Sequence, residues 1–105
     1  MATSTRLEKS VEFAKAIADC TRQKIMRYCC CQWRSVSDVA ERMGVTQPTV
    51  SHHLAVLREA GLVEIHHRGK QTFYRLDHEK MTACCGELSR SFAPEGGSTA
   101  AFEDG

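Results

Sequence analysis

The sequence predicts a mainly α fold of about five helices carrying one β-hairpin, and three observations predict it. Apolar residues recur at the three-and-four spacing of a helix along most of the first sixty positions. From Leu62 the period switches to two, the spacing of a half-buried strand. Capping residues and glycines sit between these stretches, where helices start and stop.

Thr5-Arg6-Leu7-Glu8 reads as a capping box for the first helix, with Leu7, Val11, Ala14 and Ala18 following on one face. A second helix begins near Asp19, its apolar positions Ile25, Met26, Cys29 and Cys30 continuing until Gln32 to Arg34 interrupt them. Ser35 to Met43 forms a short third helix with Val36, Val39, Ala40 and Met43 inward, and Gly44 supplies a left-handed stop. Thr46 caps a fourth helix, whose first turn tolerates Pro48 because the missing N–H has no partner there. Val50, His53, Leu54 and Leu57 mark its buried stripe, and Gly61 ends it. Val63 and Ile65 lead into a polar tip, His66-His67-Arg68-Gly69-Lys70, and Thr72 to Leu76 leads out. Asp77 caps a last helix with Met81, Cys84, Cys85, Leu88 and Phe92 on a shared face.

With 105 residues and 42% apolar content, one small core is available, and a second copy of the chain would help stabilise it. The net charge of +1 conceals an uneven distribution. Residues 1–45 hold eight Lys/Arg against five Asp/Glu, and residues 46–75 hold four against two with four histidines besides. Residues 91–105 carry three acids and no base, so a polyanion-facing surface belongs before residue 76. No apolar run is long enough to span a membrane and MATSTRLEKSVEF lacks a secretory apolar stretch, which makes the cytoplasm the expected compartment. Six cysteines are then free thiols, metal ligands or redox sensors, since adjacent residues such as Cys29-Cys30-Cys31 and Cys84-Cys85 make a poor disulfide framework. Neither a phosphate loop nor a nucleophile motif points to an enzyme.

Helix, glycine turn, helix and basic hairpin, in that order, describe a winged helix-turn-helix. The stretches ADCTRQKIM, SVSDVAERMGVTQPTVSHHLAVLREAGLVE and RGKQTFYRL go further: from Ala18 to Leu76 the chain resembles the ArsR/SmtB family of metal-, metalloid- and redox-responsive repressors. The resemblance implies a homodimer joined through the first and last helices and bound to double-stranded operator DNA, with no membrane partner. It places Gln47, Thr49, Ser51 and His52 toward bases and phosphates, and Arg68 and Lys70 on the wing. Residues 1–93 would form this DNA-binding and dimerisation domain, and residues 94–105 a flexible acidic tail.

The chain departs from the family's familiar effector sites. Where many arsenic, cadmium and lead sensors carry Cys-Val-Cys on the third helix, this chain has Ser35-Val36-Ser37. Where zinc sensors place ligands on the last helix, it offers His78, Lys80, Ser91 and Pro94. Thiols remain, and soft thiolates favour As(III), Cd(II), Cu(I), Hg(II) or oxidation. The expected inducer site is Cys84 and Cys85 with Cys30 or Cys31 as third thiol, As(III) is the expected inducer, and no obligatory cofactor is expected. Redox sensing, a Cd-, Pb- or Zn-responsive repressor and a thiol metal-binding protein without DNA function are the alternatives. Cys29 and Cys30 also fit plain core packing, because Cys behaves as a small hydrophobe. His53 on the apolar stripe reads as a satisfied core histidine, and Cys20 as incidental.

Overall fold

A computed structural model of the chain describes residues 6–92. The expected cap at Thr5 and the expected tail at 94–105 lie outside those residues. The elements run α1 (Arg6–Ile17), α2 (Cys20–Tyr28), β1 (Arg34–Ser35), α3 (Val36–Met43), α4 (Gln47–Glu59), β2 (Val63–Arg68), β3 (Gln71–Leu76) and α5 (His78–Ser91).

Local chemistry sets most of these boundaries. Asp19 caps α2 by accepting from the Arg22 N–H at 2.9 Å, and that bond holds its carboxyl below the usual carboxylate range. Ser35 and Asp38 close a reciprocal capping box on α3. At the other end Gly44 takes φ 69°, which lets the Val45 N–H reach back to the Ala40 carbonyl at 3.2 Å. Thr46 caps α4, and Gly61 at φ 75° turns the chain into β2. Asp77 caps α5 through the Lys80 N–H at 3.0 Å.

The core gathers one stripe from each of the first four helices. Phe13 and Ala16 of α1, Ile25 and Met26 of α2, Val39 and Ala40 of α3, and Val50, Leu54 and Leu57 of α4 meet Leu62, Val63 and Leu76 from the base of the hairpin. The sheet is antiparallel in the order β1-β3-β2. The sequence reading had no β1: two residues make a strand here only because β3 offers them a partner, pairing Arg34 with Tyr74 and Ser35 with Phe73. The hairpin is also longer than expected. His66, His67 and Arg68 are paired strand residues, which leaves Gly69 and Lys70 as a two-residue turn with Gly69 at φ 62°.

Two faces differ from their expected roles. The Leu7, Val11, Ala14, Ala18 side of α1 does not enter the core; Leu7 is 71% exposed, while Ser10, Phe13 and Ala16 are the buried residues. The buried side of α1, centred on Phe13, lies about a third of a turn from the Leu7 stripe. On α5 no residue is fully buried. Met81, Cys84 and Leu88 lean on the core, but Cys85 is exposed and Phe92 is 81% exposed.

Candidate nucleic-acid interface and its neighbouring thiols

Helix α4 has two unlike sides. Val50, Leu54 and Leu57 are fully buried, which fixes the helix by roughly 1.5–3 kcal/mol for each such side chain. Gln47, Thr49, Ser51 and His52 are exposed. Gln47 Nε2 donates to Ser37 Oγ at 3.2 Å, so the first polar side chain of α4 is braced from α3. Thr49 lies against its own cap, its hydroxyl 3.0 Å from that of Thr46. Arg68 and Lys70 flank Gly69 at the exposed hairpin tip.

Residues that the sequence reading passed over hold this arrangement in place. Arg22 donates from Nε to the Ala16 carbonyl at 2.6 Å and from Nη2 to the Lys15 carbonyl at 3.1 Å. Its Nη1 lies 3.1 Å from His53 Nδ1. A cation at the C-terminal end of α1 therefore also satisfies His53, which is half-buried. No local pattern announces a contact between residues so far apart in the chain. At the base of the hairpin Arg75 stacks over Trp33 at 4.5 Å and donates to Glu64 at 3.0 Å, while His66 lies 5.7 Å from the indole.

The thiols occupy distinct environments. Cys29 is fully buried, and the loss of solvent pushes its thiol up to about 11, with the charge of Arg34 opposing. Cys30 is half-buried and Cys31 exposed, their sulfurs 3.2 Å apart; the hydrogen bond to Cys31, then burial, raises the Cys30 thiol. Cys84 lines a cavity of about 400 Å³ with Phe13 and Lys80, whereas Cys30 borders a different, more apolar one of about 310 Å³ with Met26 and Met81. Cys84 and Cys85 stand in the middle of α5 rather than at its start. Among the described residues no three His, Cys, Asp or Glu side chains group as an ion would need within one chain. The first turn of α5 does meet the end of α2: His78 Nε2 is 2.7 Å from the Cys30 carbonyl oxygen, and the Leu76 N–H donates to the Cys29 carbonyl at 3.0 Å. Ser35 is the α3 cap and Ser37 the brace for Gln47.

Residues 19–64 match the model of the bacterial regulatory proteins of the arsR family. The arsenical resistance operon repressor of Bacillus subtilis is 33% identical over 85 residues, which cover 80% of this chain and 81% of that protein. The chain belongs to the arsR family. Its members are DNA-binding transcriptional regulators rather than enzymes. This ArsR-family chain is also 41% identical over 69 residues to the regulator KmtR of Mycobacterium tuberculosis, covering 66% of the chain and 53% of that protein. It thus spans about half the length of several curated relatives that it matches. Among solved structures, an ArsR-like transcriptional regulator from Rhodococcus superposes with a TM-score of 0.73 at 26% identity, covering 81% of this chain and 80% of that one. The α3-turn-α4 unit followed by the β2-β3 hairpin is accordingly the winged helix-turn-helix of an ArsR-family regulator.

Proposed function

We propose that the protein is a homodimeric cytoplasmic repressor that binds a two-fold operator through α4 and the hairpin tip, and leaves it when a thiophilic effector engages cysteines. The observation that carries the DNA-binding reading is the division of α4. Its apolar side is wholly buried, and its exposed side presents Gln47, Thr49, Ser51 and His52 beside the cationic tip of Arg68 and Lys70. A helix so anchored can enter a major groove with its polar side chains toward base edges while the tip meets phosphates. The exposed Leu7 and Val11 of α1 and Phe92 after α5 supply apolar surface for a second copy.

The effector reading rests on Cys84 and Cys85 of α5, with Cys30 or Cys31 as third thiol across or within subunits, and As(III) as the effector. The arsenical repressor among the relatives supports that choice, and so does the soft pyramidal coordination that trivalent arsenic takes with thiolates. If α5 is part of the dimer seam, a ligand that favours the non-binding spacing releases DNA, and a tenfold loss of affinity needs about 1.4 kcal/mol of coupling. The test is an operator mobility shift with As(III) titrated into the reduced protein. Cys84→Ser and Cys85→Ser should bind operator as the parent does and resist As(III), whereas Cys20→Ser should respond like the parent. Release of both Ser variants at the parent's As(III) concentration would make these cysteines packing residues.

A further inference from the structure

A surface groove of about 520 Å³ runs between the end of α2, β1 and the end of α3, and its walls combine four cations with two thiols: Lys24, Arg27, Arg34, Arg42, Cys30 and Cys31. None of the lining residues is a carboxylate, and none of the four cations makes an ion pair among the described residues. Arg34 and Arg42 instead lie over the Tyr28 ring at 4.1 and 5.5 Å, which holds two of the charges at the groove without neutralising them. Gln47, Thr49, Ser51, His52, Arg68, Lys70, Cys84 and Cys85 all lie outside this groove; on their other side Cys30 and Cys31 border a second concavity of about 530 Å³ with Glu64, Arg75, Asp77, His78 and Glu79, so the four cations lie on one side of the thiols and the carboxylates on the other.

That combination selects a class of ligand. Unpaired cations around a concave surface raise the local concentration of anions. They also repel divalent metal ions. An anion alone would need no sulfur. The two sulfurs are 3.2 Å apart, one exposed and one half-buried, which suits an attacking thiol backed by a resolving one.

We propose that Cys30 and Cys31 form a thiol-exchange site for a low-molecular-weight disulfide bearing carboxylates, with the four cations holding the carboxylates. The exposed Cys31 loses its proton to solvent, and its thiolate attacks one sulfur of the bound disulfide. The small molecule's S–S bond breaks; one half leaves as a thiolate that takes a proton from water, and the other stays on Cys31 as a mixed disulfide. Cys30 then gives up its proton and attacks Cys31 Sγ, which expels the second half as a thiol and joins the two protein sulfurs. The protein has lost two thiols and the small disulfide has become two thiols, so the electrons balance. A ring closed between adjacent residues is strained, hence readily reduced when the surrounding thiol pool recovers. The site needs neither operator nor As(III), so its test is independent of the repressor reading.

The full-length reduced protein would be treated with oxidised glutathione, which carries carboxylates, or with cystamine, which carries amines, and mapped by peptide mass spectrometry. Exposed Cys85 serves as internal reference, since it lies outside the groove. The Cys31-to-Cys85 modification ratio should be about tenfold higher with oxidised glutathione than with cystamine. The Arg27→Gln/Arg42→Gln variant, altered only at exposed side chains, should bring the two ratios together. Cys30→Ser should accumulate the glutathione adduct on Cys31, where the parent shows loss of two hydrogens and no adduct. Equal ratios with the two probes, a preference that survives the double substitution, or an unchanged product in Cys30→Ser would each overturn the proposal. Protection of Cys31 by operator duplex would assign the groove to the DNA backbone and overturn it as well.

Discussion

Cys29 is the thiol whose acidity the fold changes most, and that change should be visible as a pH-dependent stability. Its side chain is fully buried, and desolvation raises the thiol from 9.0 to about 11. Folding thus favours the neutral S–H form. The contribution is fully present below the unfolded value and disappears as pH rises through the folded one. A displacement of this size corresponds to about 3 kcal/mol, lost between roughly pH 9 and pH 11. Cys29→Ala removes the titrating group. The truncation itself costs about 1–2 kcal/mol near neutral pH, because it leaves a small void in the core. Urea unfolding followed by circular dichroism, at fixed protein concentration in a non-thiol reductant, should therefore show two lines that meet as pH rises. The parent starts ahead and has lost its lead by about pH 11. Parallel lines across that window would refute the buried-thiol assignment, and so would alkylation of Cys29 near pH 8 at the rate of exposed Cys31.

The side chains proposed to face DNA should separate into two groups in an anisotropy titration. Arg68→Ala and Lys70→Ala should weaken specific and random duplex alike and each lower the salt slope by about one, whereas Gln47→Ala or Thr49→Ala should remove roughly 1–3 kcal/mol of preference for operator. Equal losses on both duplexes for all four variants would contradict the assignment. Two glycines should respond with opposite signs in thermal unfolding. Gly44→Ala forces a side chain into φ 69° with open space around it, and costs about 1 kcal/mol through backbone strain alone. Gly86→Ala sits inside α5, where the added carbon meets only the far end of the exposed Arg90 side chain at 3.3 Å, and should gain about 0.5–1 kcal/mol of helix propensity. Shifts of the same sign would count against this reading of the two backbones.

What could be read in the chain beforehand was what neighbours in sequence decide. The caps at Thr46 and Asp77 stand as expected, and Asp19 and Ser35, where helices are expected to begin, prove to be caps too, since each of the four bonds a backbone N–H three residues on. The buried stripe Val50, Leu54, Leu57 is equally local, and it fixes which side of α4 is left exposed. Competition between parts of the chain was less legible. On α1 the periodicity marks the Leu7, Val11, Ala14, Ala18 stripe, and nothing local to the helix says that Phe13 is buried instead of Leu7. Adjacent Cys29 and Cys30 look alike in sequence, yet α2 ends at Tyr28, and past its end the first is fully buried while the second reaches a groove edge. β1 exists by virtue of β3, and Arg22 meets His53 across thirty-one positions.

The order of the sheet has one more consequence, for the company the protein keeps with itself. With β3 in the middle, β2 is left as a six-residue outer edge, its outward backbone groups ready to template a further strand from another molecule. Glu64, His66, His67 and Arg68 occupy four of those six places, and the last three are exposed. Each would have to shed water and face its own kind in an extended stack. The opposite edge is guarded by brevity, since β1 is only two residues long and runs at once into α3. The polar and charged residues at the outer end of β2 and the brevity of β1 thus guard both edges of the sheet against pairing with further copies of the chain.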